Sequence, residues 1–175
     1  MSLFATRPVI NGDEITITYT KLTDTRKMRR SRRLEMYRFT CECEYCTLPI
    51  NESAAASDAA RLELDGFWIR HRSLHEWCEN LSLDDKYLVD GHKRCISLHE
   101  QEGITSVDYV VHIEGLAGVC GMLGDKKFRF WGLRAIEEIE RMKIRNPTPW
   151  KEWLADPQSN FKYWNRRKFR KNRRY

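Results

Sequence analysis

Three cysteines fall within six residues of one another in the stretch Leu34-Glu-Met-Tyr-Arg-Phe-Thr-Cys41-Glu-Cys43-Glu-Tyr-Cys46. Thiolate is a soft ligand that favours zinc or iron–sulfur clusters. The C-x-C-x-x-C spacing lets three sulfurs turn toward one point, and it supplies three of the four ligands of a closed tetrahedral zinc site. A disulfide inside this loop and three unrelated free thiols are the alternatives. The N-terminus has no basic-then-apolar signal pattern, so a reducing setting is expected, and there crowded cysteines favour metal.

Other candidate ligands lie downstream. On a helix, His71, His75 and Cys78 can share a face, as can His92, Cys95 and His99. Cys78, Cys95, Cys120 or either histidine set could supply a fourth ligand, although ordinary core or surface placement is the simpler reading of each.

Two elements must position the cysteine loop. Glu14-Ile-Thr-Ile-Thr-Tyr19 alternates apolar and polar residues and predicts a half-buried strand, paired through the Asn11-Gly12 turn with a strand over Leu3–Arg7. Residues 24–37 predict a helix capped by Asp24 or Thr25, with Met28, Leu34 and Tyr37 on one face and the arginines outward, as a solvated face or a docking surface for an acidic partner.

Gly12-Asp-Glu-Ile-Thr-Ile-Thr-Tyr19, the Arg-rich helix and Tyr37-Arg-Phe39-Thr-Cys41-Glu-Cys43-Glu-Tyr-Cys46 together resemble the end of a SET domain joined to its cysteine-rich post-SET loop. The order and spacing are most similar to the SET and MYND domain (SMYD) family and related fungal SET proteins, over residues 1 to 46. The resemblance implies a protein-lysine methyltransferase, in which a methyl group passes from S-adenosyl-L-methionine to a lysine amine of a protein, histones included. Positioning dominates such a displacement, because the approach must be in line. Tyr19 then matches the catalytic tyrosine, Tyr37 a wall of the lysine channel, and Phe39 the ring that packs on the cofactor's adenine. Cys41, Cys43 and Cys46 match zinc ligands. Apart from the resemblance, Tyr19 would only end a strand, and Tyr37 and Phe39 would only pack under the loop.

A complete SET domain also has a Gly-rich cofactor segment and an Asn-His-x-Cys-type motif, which provides the fourth zinc ligand. Both lie upstream of the matched part, and neither occurs in these 175 residues. Met1 is therefore expected to be an internal methionine of a longer protein, and the chain alone is expected to be nearly inactive.

The net charge of +6 is unevenly spread. Thirteen of the 31 Lys and Arg lie in residues 26–33 and 166–174, which hold no acids. That leaves 18 cations against 25 acids, or −7, on the remainder. In residues 158–175, Phe161, Tyr163, Trp164 and Phe169 stand among these cations. Such a segment could bind nucleic acid or an import receptor, or be a disordered solubilising tail. No apolar run approaches the ~20 residues that span a bilayer, and a nuclear or cytoplasmic location is expected.

The expected fold is α+β and mostly α: a short β-hairpin remnant of a SET domain, a zinc-type cysteine loop, then an antiparallel helical domain similar to tetratricopeptide repeats. Residues 1–50 form the SET segment and post-SET loop, 51–157 the helical domain, and 158–175 the basic tail. Residues 49–57 read as the connector. Helices are expected over Asp58–Leu81, from a Ser82–Asp85 capping box to Gly103, from Thr105–Asp108 to Gly124, and from Asp125 to Asn146-Pro147, with a last turn started by Thr148-Pro149. The competing functional reading is a non-catalytic, zinc-containing interaction module; a zinc-stabilised structural fragment is the third.

Overall fold

The computed structural model describes residues 9–12, 17–47, 49 and 52–173. Among them the chain is helical, with no strand. The strand expected over 3–7 lies outside the described residues, as do positions 14–16 of the second; residues 17–19 are irregular rather than extended in a ladder. The elements are α1 (Arg26–Tyr37), α2 (Glu44–Thr47), α3 (Glu52–Asp65), α4 (Phe67–Arg70), α5 (Leu74–Glu79), α6 (Lys86–Gln101), α7 (Val107–Leu123), α8 (Lys127–Met142), α9 (Thr148–Ala155), α10 (Pro157–Asn160) and α11 (Arg166–Asn172). No helix is long and apolar enough to cross a membrane.

The core is built around α7, which packs on α6 and α8, while α9 packs on α8. The sequence of α7 is apolar on nearly every side, as a helix surrounded by others must be. Ile113, Leu116, Ala117 and Val119 are wholly buried, each removal from water being worth up to ~3 kcal/mol for the larger side chains. By contrast α8 is amphipathic: Phe128, Gly132, Ala135 and Ile139 form its buried stripe. Ser106 caps α7 by accepting from the Tyr109 amide, and Gly124, at φ 64°, ends it in a left-handed turn.

Three local expectations are corrected. The single helix over 58–81 is three helices, and the expected connector at 49–57 is already helical from Glu52. The break before α5 comes from Ser73 and Glu76, which form a reciprocal capping box. The Ser82–Asp85 box does not form: Ser82 bonds Asn80 Oδ1 (2.6 Å from Oγ), the Lys86 amide is met by Asp84 at 2.6 Å, and Asp85 is taken by Arg167 and Lys171. Third, α1 turns the opposite way. Met28, Leu34 and Tyr37 are exposed, whereas Arg29 and Arg33 are buried. Arg29 Nη1 donates to the Asp24 carbonyl at 2.5 Å, which gives the inward guanidinium a partner.

The terminal basic segment is folded against the body. Phe161 is buried on Phe128 and over Gly121, where an added Cβ would come within 2.5 Å of the Phe161 ring. Arg167 is fully buried, its guanidinium 4.1 Å from the Trp77 ring centroid and bonded to Asp85.

The segment before α3 joins the helical body through polar contacts. The Arg26 amide donates to Asp58 at 2.6 Å, and Thr23 to Asp65 at 3.2 Å. Arg61 reaches the Leu22 carbonyl, lies 5.0 Å from the Tyr45 ring centroid and pairs with Glu102 at 3.1 Å. Both members of that last pair are buried, and Ser57 also donates to Glu102. This network fixes α1 and the cysteine loop against α3 and the end of α6.

Candidate active site

Residues distant in sequence meet at the end of α1. Tyr37 occupies the last helical residue. Arg38 adopts φ 59° and donates its amide to Leu34 O at 3.1 Å, a left-handed C-cap that redirects the chain into Phe39. The Tyr19 ring lies 5.2 Å from Tyr37 and 5.2 Å from Phe39, centroid to centroid and edge on; Tyr37 and Phe39 are 6.4 Å apart. Edge-to-face packing of this kind is favoured by the ring quadrupoles. A cavity of about 530 Å³ opens beside them, lined by Ile17, Tyr19, Phe39, Arg33 and residues 40–43.

The cysteine loop follows directly. The turn of α2 is closed by Cys46 and Thr47 amides donating to Cys43 O at 2.8 and 3.0 Å. This turn brings Cys41, Cys43 and Cys46 together with all three sulfurs within 4.8 Å of one another. Zinc–sulfur bonds of about 2.3 Å in a tetrahedron place ligand sulfurs roughly 3.8 Å apart. The cluster therefore fits a metal after a small contraction. Cys46 is buried, Cys41 half-buried and Cys43 exposed.

The thiols share charge. Burial raises the Cys41 thiol; a hydrogen bond with the Cys43 backbone opposes this, and side-chain contacts with Cys43 and Cys46 add to the rise. Burial would raise Cys43 too, but hydrogen bonds with Cys41, Cys46 and Arg33 outweigh it and bring that thiol down to about 7. A thiolate is the form that binds metal.

Among the described residues, Cys41, Cys43 and Cys46 are the one group of three or more side chains placed to hold a metal. Neither His71, His75 and Cys78 nor His92, Cys95 and His99 forms such a group. His92, Cys95 and His99 are core residues, and burial pushes the Cys95 thiol up to about 12, far from a ligating thiolate. Cys78 and Cys120 are buried, with the Cys120 thiol raised to about 11 by burial.

The sequence left Arg33 as part of a solvated face. The structure places it at the cysteine loop, with Nη1 3.6 Å from Cys46 Sγ. Its signal was the i, i+4 relation to Arg29, which marks a second stripe on α1. In the terminal segment, Arg166 and Arg170 pair with Glu79, and Arg167 and Lys171 with Asp85. Four of its cations thus neutralise the body's own acids.

A search against models of known protein families finds no match. No solved structure matches the chain. A SET and MYND domain-containing protein of Dictyostelium discoideum is 48% identical over 46 residues, which is 26% of this chain and 13% of that protein. Together with the three-cysteine cluster, that short match supports a limited relationship between this chain and SET and MYND domain proteins.

Proposed function

We propose that the cysteine loop and the residues before it are the C-terminal segment of a SET-type protein-lysine methyltransferase site. One observation carries the reading: Tyr19, Tyr37 and Phe39 converge on one another beside three converged sulfurs. In this reading the Tyr19 hydroxyl orients the incoming lysine amine of a protein substrate and stabilises charge that develops there. Tyr37 walls the lysine's path, where an aromatic face desolvates the amine, favours its neutral form and tolerates a methylammonium product. Phe39 offers its ring to the cofactor's adenine. Cys41, Cys43 and Cys46 hold zinc, which closes the loop that follows Phe39 on itself; the thiolates suit the reducing nucleus or cytoplasm.

S-adenosyl-L-methionine, when bound, supplies the electrophilic methyl group. The residues present fit it only at the adenine side, since these 175 residues hold no Gly-rich cofactor loop. The helical part from α3 to α9 would correspond to the tetratricopeptide-like domain of SMYD proteins.

Metal content tests the reading most directly. The purified chain is expected to carry about one zinc, by mass spectrometry under native conditions and by elemental analysis. Cys43→Ser and Cys46→Ser should each reduce that occupancy sharply; a metal-free wild-type chain would remove the site's foundation. The 175-residue chain by itself is expected to give no methyl transfer to lysine peptides above background. Transfer that disappears in Tyr19→Phe would overturn the expected inactivity.

A further inference from the structure

We propose that Arg33 is the charge partner of the three-sulfur site: its guanidinium offsets the negative charge of three thiolates around a divalent metal and keeps the sulfurs converged. The inference rests on the metal reading of Cys41, Cys43 and Cys46. It adds a residue from α1 that does not itself ligate.

The observation that calls for it is a buried cation that no described carboxylate meets. Arg33 is 8% exposed, while Met28, Leu34 and Met36 of the same helix face outward. An amphipathic helix that buries arginine and exposes leucine is held that way by something specific. Among the described residues no acid pairs with Arg33. Its Nη1 lies 3.6 Å from Cys46 Sγ, and its buried Nε has no partner among the described residues. The guanidinium also borders the cavity shared by Cys41, Cys43 and Phe39.

A neutral thiol is a weak acceptor and a poor counterpart for a buried guanidinium. Three thiolates on a divalent ion leave one net negative charge spread over the sulfurs, which is what a donor fork at that position can match. Groups that hydrogen-bond metal ligands from outside typically change metal affinity by about 10–100-fold.

The test is a cobalt(II) titration of the full chain against a competing chelator, read by the sulfur-to-cobalt charge-transfer band. It is run on wild type, Arg33→Lys and Arg33→Met. Arg33→Met is expected to weaken binding about 10–100-fold, and Arg33→Lys, which keeps the charge but loses the fork, should fall between. The metal-free Arg33→Met protein should resist urea at least as well as metal-free wild type, because an unmatched buried charge has gone. Equal cobalt affinity in wild type and Arg33→Met overturns the proposal. So does a metal-free Arg33→Met protein whose loss of stability matches its loss of affinity, since that marks a purely structural side chain. Wild type that binds no metal removes the three-thiolate reading itself and this inference with it.

Discussion

Arg167→Met is expected to lower the free energy of unfolding by about 3–5 kcal/mol, the range typical when one partner of a buried charged network is removed. The side chain is fully buried. Its guanidinium donates to the Trp77, Asn80 and Leu83 carbonyls, the last at 2.5 Å, and to Asp85 at 2.7 Å. Methionine keeps the aliphatic stem against Trp77, so lost packing is a minor part of the effect. The dominant part is three carbonyls at the end of α5 and in the loop before α6 that lose their donor, at about 1–3 kcal/mol for each that stays buried and unmet. The Asp85 contribution is smaller, because that carboxylate is 40% exposed and its pairing is screened by water. For a chain of this length, the loss corresponds to a fall in melting temperature of about 10 °C. Lysine should rescue little, since one ammonium cannot reach the four acceptors that the planar fork spans. Urea unfolding followed by far-UV circular dichroism measures it. A change under about 1 kcal/mol would show that residues 166–172 detach at no cost and that the terminal segment is a tail after all.

This segment also shows what could be read from the chain and what could not. The helices from α6 to α9 were legible because their apolar residues recur at helical spacing and their ends carry Ser106, Gly103, Gly124 and the Thr148-Pro149 start. The cysteine loop was legible because residue type and spacing alone restrict what three such thiols can do, whereas Tyr19, Tyr37 and Phe39 stand out only through the resemblance to SET domains. The terminal segment was not, since its run of cations hid Phe161 and Arg167. Whether such a run is solvated or docked depends on acids far away in sequence, here Glu79 and Asp85. The inverted orientation of α1 escaped for a related reason. Its hydrophobic spacing named one face as inward, but the Asp24 carbonyl and the sulfurs of the cysteine loop supply polar partners that draw the other face in. Pattern alone misjudges a helix whose inward contacts are polar. The break of the helix expected over 58–81 belongs to the same class, because Ser73 and Glu76 are a valid cap inside a sequence whose apolar spacing runs on without interruption.

Acid is expected to weaken the fold well before its carboxylates titrate. His92 and His112 are 3% and 1% exposed, their Nδ1 atoms 3.2 Å apart between α6 and α7. Only one of these two nitrogens can carry the proton of that bond while both rings stay neutral. Phe67 lies against both rings, Trp68 stacks on His112, and His99 closes the other side. Burial pushes His112 down to about 3, helped by neighbouring His92, His99 and His71; burial, with a smaller effect of His71, lowers His92 to about 4. In the unfolded chain an imidazole titrates near 6.5. The unfolded state therefore takes up protons that the folded state refuses, and stability must fall as pH drops below about 6.5. The contribution is complete above that pH and declines steadily until the folded values near 4 and 3 are reached. From pH 7 to pH 5 the loss is about 2 kcal/mol for each ring, or about 4 kcal/mol for the pair. The acids whose titration is displaced downward, Glu63, Asp65, Glu76, Asp85 and Asp156, remain ionised over that interval and add little to it. Urea midpoints at half-unit steps of pH give the slope, in which this pair should account for nearly two protons taken up on unfolding near pH 5, with His99, also lowered by burial, adding in the same direction. A His112→Leu variant keeps an apolar side chain of similar size there and should remove about half of the pair's share of the slope, whatever its effect on stability at pH 7. A flat profile between pH 7 and pH 5 would mean that the pair is hydrated enough to accept charge while folded, and that α6 and α7 do not enclose it as tightly as their packing indicates.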